Sequence, residues 1–178
     1  MKKIYFVRHG ESEANLAEIA SGQGNDVPLT NNGRKQAKLA GRGLKDKNIE
    51  LVVSSPLIRT RQTAEIIAEE IGYDPKKIVY NPLFAERSLG IYEGGPMSVY
   101  WKDLQDNTLH ASAETTEQMY ARFMQALESL HQYKENTILV VSHGGASRAV
   151  RVINQKLHHS KMYELEAFAN AHIYEFEL

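Results

Sequence analysis

A chain of 178 residues with no cysteine and a formal net charge of −1 has no disulfides, thiolate catalysis or Cys-ligated zinc, and no field that would attract nucleic acid or an anionic membrane. Its 42% hydrophobic and 24% charged residues are those of an ordinary globule, expected to form one domain over residues 1–178 that needs no metal staple. Lys2-Lys3 precedes an apolar run of only four residues, too short for a signal peptide. No stretch approaches the ~18 apolar residues of a membrane span. The lack of cysteine fits a reducing cytoplasm, the expected setting.

The predicted elements alternate strand and helix. Residues 3–7 are apolar and β-rich, and they run straight into Arg8-His9-Gly10-Glu11. Residues 31–44 form an amphipathic helix with Thr30 as N-cap and Ala37, Ala40 and Leu44 on its buried stripe. A short buried strand covers 49–53. Ser55-Pro56 then supplies the N-cap and first residue of a helix running through Thr63, Ile66 and Ile67 to Gly72. A strand is expected at 77–80 and a helix over 114–133, with Met119, Phe123, Ala126, Leu127 and Leu130 at helical spacing. Residues 137–142 are continuously apolar, as strands inside parallel sheets are. A helix from Ala146 to about Lys156 and a closing edge strand through Ala171, Ile173, Tyr174 and Phe176 complete the series. The fold class is therefore α/β: a three-layer, open, mainly parallel sheet with helices on both faces. The irregular stretch 88–113, with Gly90 and Gly94-Gly95-Pro96, is expected to be a loop over the site.

Ligands of such sheets bind at the carboxyl ends of the strands. Three strand–loop junctions, after Val7, Val53 and Val141, each deliver a cationic or imidazole side chain there: Arg8 and His9, Arg59, and His143. A guanidinium beside an imidazole suits a phosphoryl group, the one clamping it and the other attacking it. The Gly-rich turn of a nucleotide-binding redox protein is absent after the first strand.

The motifs around these residues form an ordered series. Arg8-His9-Gly10-Glu11-Ser12 and Asn15 open it. Asp26-Val27-Pro28-Leu29-Thr30, Gly33 and Gln36-Ala37 follow, then Ser54-Ser55-Pro56 through Arg59-Thr60 and Gln62-Thr63-Ala64-Glu65. Leu83, Glu86, Gly90 and Glu93-Gly94 come next, then Glu114 and Arg122, and last Ser142-His143-Gly144-Gly145. Together they resemble the histidine phosphatase (phosphoglycerate mutase-like) superfamily, in the manner of a small phosphatase-type member. The resemblance implies His9 as nucleophile through a phosphohistidine. It implies Arg8, Arg59 and His143 as holders of the phosphoryl oxygens, and Glu86 as general acid and then base. Gly144 would offer its amide at a helix N-terminus. No cofactor or metal is implied.

Other residues have two readings. Asn15 and Ser12 either bond the substrate phosphate or cap the turn after Gly10, and Glu11 balances the neighbouring arginine. Ser21-Gly22-Gln23-Gly24 aligns in two ways, so either Ser21 or Gln23 faces the substrate. Glu114 and Arg122 read as a structural or gating pair, and Ser54 and Ser142 as ties to backbone. Met97, Tyr92, Tyr100 and Trp101 either line the mouth of the site or pack a loop onto the sheet. His158-His159 reads as a solvated pair, because a third ligand is lacking. Arg148 and Arg151 read as surface residues, Arg148 with the option of widening a basic rim.

The expected function is metal-independent hydrolysis of a small phosphorylated metabolite, with no nucleic-acid or membrane partner and an open oligomeric state. The alternatives are a cofactor-dependent phosphoglycerate mutase and a catalytically silent phosphate-binding module. Only 27 residues separate Glu86 from Glu114, and the tail after Ile153 shows no basic lid. A short cover of that kind favours water as the phosphoryl acceptor.

Overall fold

In the computed structural model, which describes residues 1–178, five strands form one sheet in the order β3-β2-β4-β1-β5. They are β1 (Lys3–Arg8), β2 (Leu51–Ser54), β3 (Val79–Tyr80), β4 (Thr137–Ser142) and β5 (Ile173–Glu177). The first four run parallel, and β5 pairs antiparallel with β1 at the edge. The mainly parallel α/β sheet expected from the sequence is thus the architecture found. No helix is long and apolar enough to cross a membrane.

Alternation along each strand sorts side chains to two faces. Ile4, Phe6, Val53, Ile138 and Val140 pack on Met119 and Phe123 of helix α5 (Thr116–Glu128) and on Ala149 and Val150 of α6 (Gly144–Asn154). Tyr5, Val7, Val52, Leu139 and Val141 face Ala40 and Leu44 of α2 (Asn31–Leu44) and Ala64 and Ile67 of α3 (Ile58–Ile71). Thr30 caps α2 by accepting from Gly33 N. A third cluster of Ala20, Leu89, Tyr92, Tyr100 and Ala113 lies apart from these two.

Several boundaries differ from the sequence reading. Helix α3 begins at Ile58, with Leu57 and not Ser55 at its N-cap. The Ser55 hydroxyl lies 2.8 Å from His143 Nε2. The amide of Ile58 is instead taken by the Asp26 carboxylate at 2.9 and 3.0 Å. The strand expected at 77–80 is only Val79–Tyr80, because Pro75 starts a 3-10 turn capped by Asp74. The 114–133 helix ends at Glu128 and tightens into a 3-10 turn, Ser129–Gln132. Helix α6 starts at Gly144, two residues before Ala146, so its first amides reach the site. The stretch 88–113 is not all loop. It contains helix α4 (Met97–Gln105), opened by Pro96. A one-turn helix, α1 (Glu13–Leu16), follows β1.

Candidate active site

Parallel register brings the sequence motifs together. Arg8 pairs with Ser142, and Ser54 with Val141, so the residues that follow β1, β2 and β4 emerge side by side at the carboxyl edge. There a cavity of about 270 Å³ is lined by Arg8, His9, Asn15, Ser21, Arg59, Glu86 and Gly144, among others. That is close to the low end of small-molecule sites, ~300–1,000 Å³.

His9 is 3% exposed, and its ring lies edge-on to that of His143, 5.3 Å between centroids. Its Nδ1 is 2.6 Å from the Gly10 carbonyl. A carbonyl only accepts, so Nδ1 carries the proton and Nε2 keeps its lone pair. Burial, reinforced by the Arg59 and Arg8 guanidiniums, holds the His9 imidazole well below its ordinary pKa. It is a neutral base at neutral pH. The loop is fixed from two sides. The amide of Gly10 donates to Thr63 Oγ1, and Asn170 Nδ2 donates to the His9 carbonyl at 3.0 Å.

Arg59 is a charge buried to 1% exposure. Such a charge needs partners. Its Nη2 donates to the Gly22 carbonyl at 2.8 Å, and Nη1 lies 3.4 Å from Asp26 Oδ1. Arg8 donates to the Phe168 carbonyl. Burial depresses the pKa of both guanidiniums, though not far enough to discharge an arginine. His143 is fully buried beside His9, and its pKa is likewise pushed down by burial and then by Arg59. Only three buried side-chain polar atoms of the whole chain lack a hydrogen-bond partner: Arg8 Nε, Ser21 Oγ and His143 Nδ1. Two belong to the cavity lining and the third to the imidazole beside His9.

Glu86 is held by its flanks. Oε1 accepts from Arg87 N at 2.8 Å and Oε2 from Gly145 N at 3.0 Å. Its carbonyl accepts from Gln23 Nε2 at 2.7 Å and from Arg122 Nη2. Arg122 also donates to the Leu83 and Ala85 carbonyls and pairs with Glu114 at 2.7 Å. That pair therefore braces the 83–86 segment and does not enter the cavity.

Of the ambiguous residues, Ser12 caps α1 in a reciprocal box with Asn15 and is absent from the lining; Asn15 both closes the box and faces the cavity. Ser21 lines the cavity, whereas Gln23 lies outside it and supports Glu86 from behind. Glu11 accepts from the Thr30 hydroxyl. Ser54 and Ser142 donate to the Ser55 and Phe84 carbonyls. Met97, Tyr100 and Trp101 take both roles offered to them, lining the cavity and packing as a cluster, while Tyr92 stays within the cluster, bonded to Asp103. Arg148 lines the cavity and is not a plain surface residue.

Sequence reasoning missed the tail. Tyr163 and Ala167 line the cavity. The Leu165, Glu166 and Phe168 carbonyls accept from Arg148, Arg151 and Arg8. Arg87 donates to the Tyr163 hydroxyl and, at 2.6 Å, to the Glu114 carbonyl. The tail is a wall of the site whose cations come from other elements.

Gly145 leaves no room for a larger residue: a Cβ there would stand 2.4 Å from Glu86 Oε1. Gly145→Ala should displace that carboxylate and cut turnover of alkyl phosphates about tenfold or more. Alanine is the better helix former by ~1 kcal/mol, so the thermal midpoint should hold. Steady-state kinetics and a melting curve check this. Unaltered kinetics would mean that the carboxylate shifts freely.

The family model described as the histidine phosphatase superfamily (branch 1) matches residues 4–178. The chain belongs to that family, whose members include phosphatases and phosphoglycerate mutase-like proteins. It is 37% identical over 151 residues to "Uncharacterized phosphatase PhoE" of Bacillus subtilis (strain 168), covering 84% of this chain and 76% of the relative. It is 36% identical over 155 residues to "Probable phosphoglycerate mutase GpmB" of Serratia proteamaculans (strain 568), covering 81% and 70%. The solved structure "Bacillus stearothermophilus YhfR" superposes with a TM-score of 0.88 at 21% identity, over 100% of this chain and 92% of that one, a likeness of fold.

Proposed function

We propose that the chain, as one domain over residues 1–178, hydrolyses small phosphate monoesters without a metal, through a phosphohistidine on His9. The observation that carries this reading is the set of unpartnered buried atoms: Arg8 Nε and Ser21 Oγ belong to residues lining one cavity with His9, and His143 Nδ1 to the ring edge-on to His9, whose own Nε2 is free. Buried polar atoms are nearly always satisfied. A phosphoryl group with its several acceptor oxygens would satisfy all three.

In the first step the His9 Nε2 lone pair forms the bond to phosphorus, and the bond from phosphorus to the leaving oxygen breaks. Glu86 gives that oxygen its proton. Arg8, Arg59 and His143 hold the equatorial oxygens. His143 Nε2 lies 2.8 Å from the Ser55 hydroxyl; a hydroxyl donating there would leave the His143 proton on Nδ1, which has no partner, ready to donate. In the second step Glu86 takes a proton from water, the water oxygen bonds phosphorus, and the bond to nitrogen breaks. Phosphate and neutral His9 result. Ser21 and Asn15 contact the substrate, and Gly144 gives close backbone approach. Ser12 and Gln23 act behind them.

Glu86 is only partly buried, so water reaches it and competes for the phosphohistidine. This supports hydrolysis over mutase activity, as does the name of the Bacillus subtilis relative. The absence of cysteine suits a cytoplasmic setting. A panel of phosphorylated metabolites in EDTA tests the reading, with 3-phosphoglycerate plus a trace of the 2,3-bisphosphate among them. Phosphate release should persist under chelation and exceed isomerisation. Loss of activity restored by a divalent cation, or rapid isomerisation with negligible release, would overturn it.

A further inference from the structure

Two of the four arginines lining the cavity, Arg87 and Arg148, take no part in the chemistry above. Arg87 is buried to 2% exposure and committed to the Glu114 carbonyl and the Tyr163 hydroxyl. Arg148 is different. It stands one turn along α6 from Gly144, partly exposed. Its guanidinium carbon is 5.2 Å from the ring centres of both Trp101 and Tyr163. Its Nε donates to the Leu165 carbonyl at 2.9 Å. It takes part in none of the six ion pairs, and the one carboxylate in the lining, Glu86, is bound to backbone amides.

This is a pre-organised donor. Two rings and a backbone tether fix the plane of the guanidinium, and the edge carrying Nη1 and Nη2 has no partner. A planar edge of that kind matches an oxyanion in bidentate fashion. The wall beside it is apolar: Ile19, Met97, Trp101 and Ala167. A neighbouring hollow shares Ile19, Met97 and Trp101 with that wall and adds Ala14, with Asn15, Glu18 and Ser98 as its polar residues.

We infer that Arg148 is a specificity-determining residue, selecting esters whose leaving group combines a flat apolar part, seated on Trp101 and Met97, with a second oxyanion, a carboxylate or a phosphate. The inference rests on the phosphatase reading. A neutral leaving group leaves the guanidinium edge unpaired, and a cationic one is repelled by it.

Benzyl phosphates test this, because the methylene insulates the leaving oxygen from ring substituents and leaves its basicity almost constant. The series is benzyl, 3- and 4-carboxybenzyl, 4-phosphonobenzyl and 4-aminomethylbenzyl phosphate. In the wild type kcat/KM should rise about tenfold or more from the neutral ester to the better anionic one, the yield of one charge-assisted hydrogen bond. The cationic ester should be slowest, and the better of the carboxyl and phosphono esters identifies the oxyanion. Arg148→Gln should compress the anionic preference to within about twofold, and Arg148→Glu should reverse it. A purely structural Arg148, clamping Trp101 against Tyr163, would slow all five esters alike and leave their ratios unchanged. That result overturns the inference, as does equal use of neutral and anionic esters by the wild type. If no ester gives His9-dependent phosphate release, the phosphatase reading itself fails and the inference falls with it.

Discussion

Replacing His9 with alanine should reduce phosphate release to background, a loss on the order of 10⁴-fold or more out of the ~10⁶-fold or greater acceleration typical of enzymes. On the proposed mechanism, His9 supplies the one lone pair that attacks phosphorus. Its Nδ1 is bound to the Gly10 carbonyl, and the Nε2 of the fully buried His143 is taken up by the Ser55 hydroxyl. No second nucleophile is in place. The fold should survive, with the thermal midpoint within about 5 °C, because the imidazole sits in a loop between two guanidiniums and not in the apolar core. The wild type, quenched during turnover, should carry acid-labile, base-stable phosphate at residue 9. Substantial turnover by His9→Ala would show that water is activated directly.

The second large effect should come from Glu86→Gln, and it should depend on the leaving group. Alkyl phosphates need a proton on the departing oxygen, so their turnover should fall by about 10²–10⁴-fold. An aryl phosphate leaves without that proton and should lose much less. It should not escape entirely. The carboxylate accepts from two backbone amides, Arg87 N and Gly145 N, and an amide side chain can accept with only one of its two ends. The other end meets an N–H head-on, a misplacement that costs both substrates. Single-turnover rates on matched alkyl and aryl esters measure the difference. Equal losses would remove Glu86 from the role of acid.

The residues expected to hold and attack phosphorus were legible because each follows an apolar strand, and parallel register forces such positions to one edge. Helix α2 was legible to its ends, with its Thr30 cap and a buried stripe of alanine and leucine. Helix α4 was not. Only Tyr100 on it is buried, too little for a stripe to show, and Gly94-Gly95-Pro96 before it reads as loop. The tail was harder still. Its contribution is made largely by carbonyl oxygens of Leu165, Glu166 and Phe168, and a carbonyl is the same at every residue. Nothing in the residue types marks those positions. Ser21 and Gln23 stay open alternatives in the sequence for a related reason: a polar side chain near a site can also serve it from behind, as Gln23 does at the Glu86 carbonyl. Gly33 carried a signal with a simple cause, since a Cβ there would lie 2.0 Å from the Glu11 carbonyl, in the turn that follows the Arg8-His9 pair.

The strand order has a consequence for how the molecule comes into being. The first strand lies between the last two, paired with β4 on one side and β5 on the other. β1 ends at Arg8, but β4 begins only at Thr137. At roughly 5–20 residues per second, a growing chain carries an apolar strand without a partner for on the order of ten seconds. Its Ile4, Tyr5, Phe6 and Val7, all at most 3% exposed in the finished fold, are open to other chains during that time. His9, the proposed nucleophile, is then made well before the residues that set its loop in place. The Asn170 side chain that holds the His9 carbonyl lies 161 residues further along the chain, and the Ala171 amide that bonds the same loop follows it. A growing chain that has not reached Asn170 and Ala171 therefore lacks part of the frame that fixes the His9 loop.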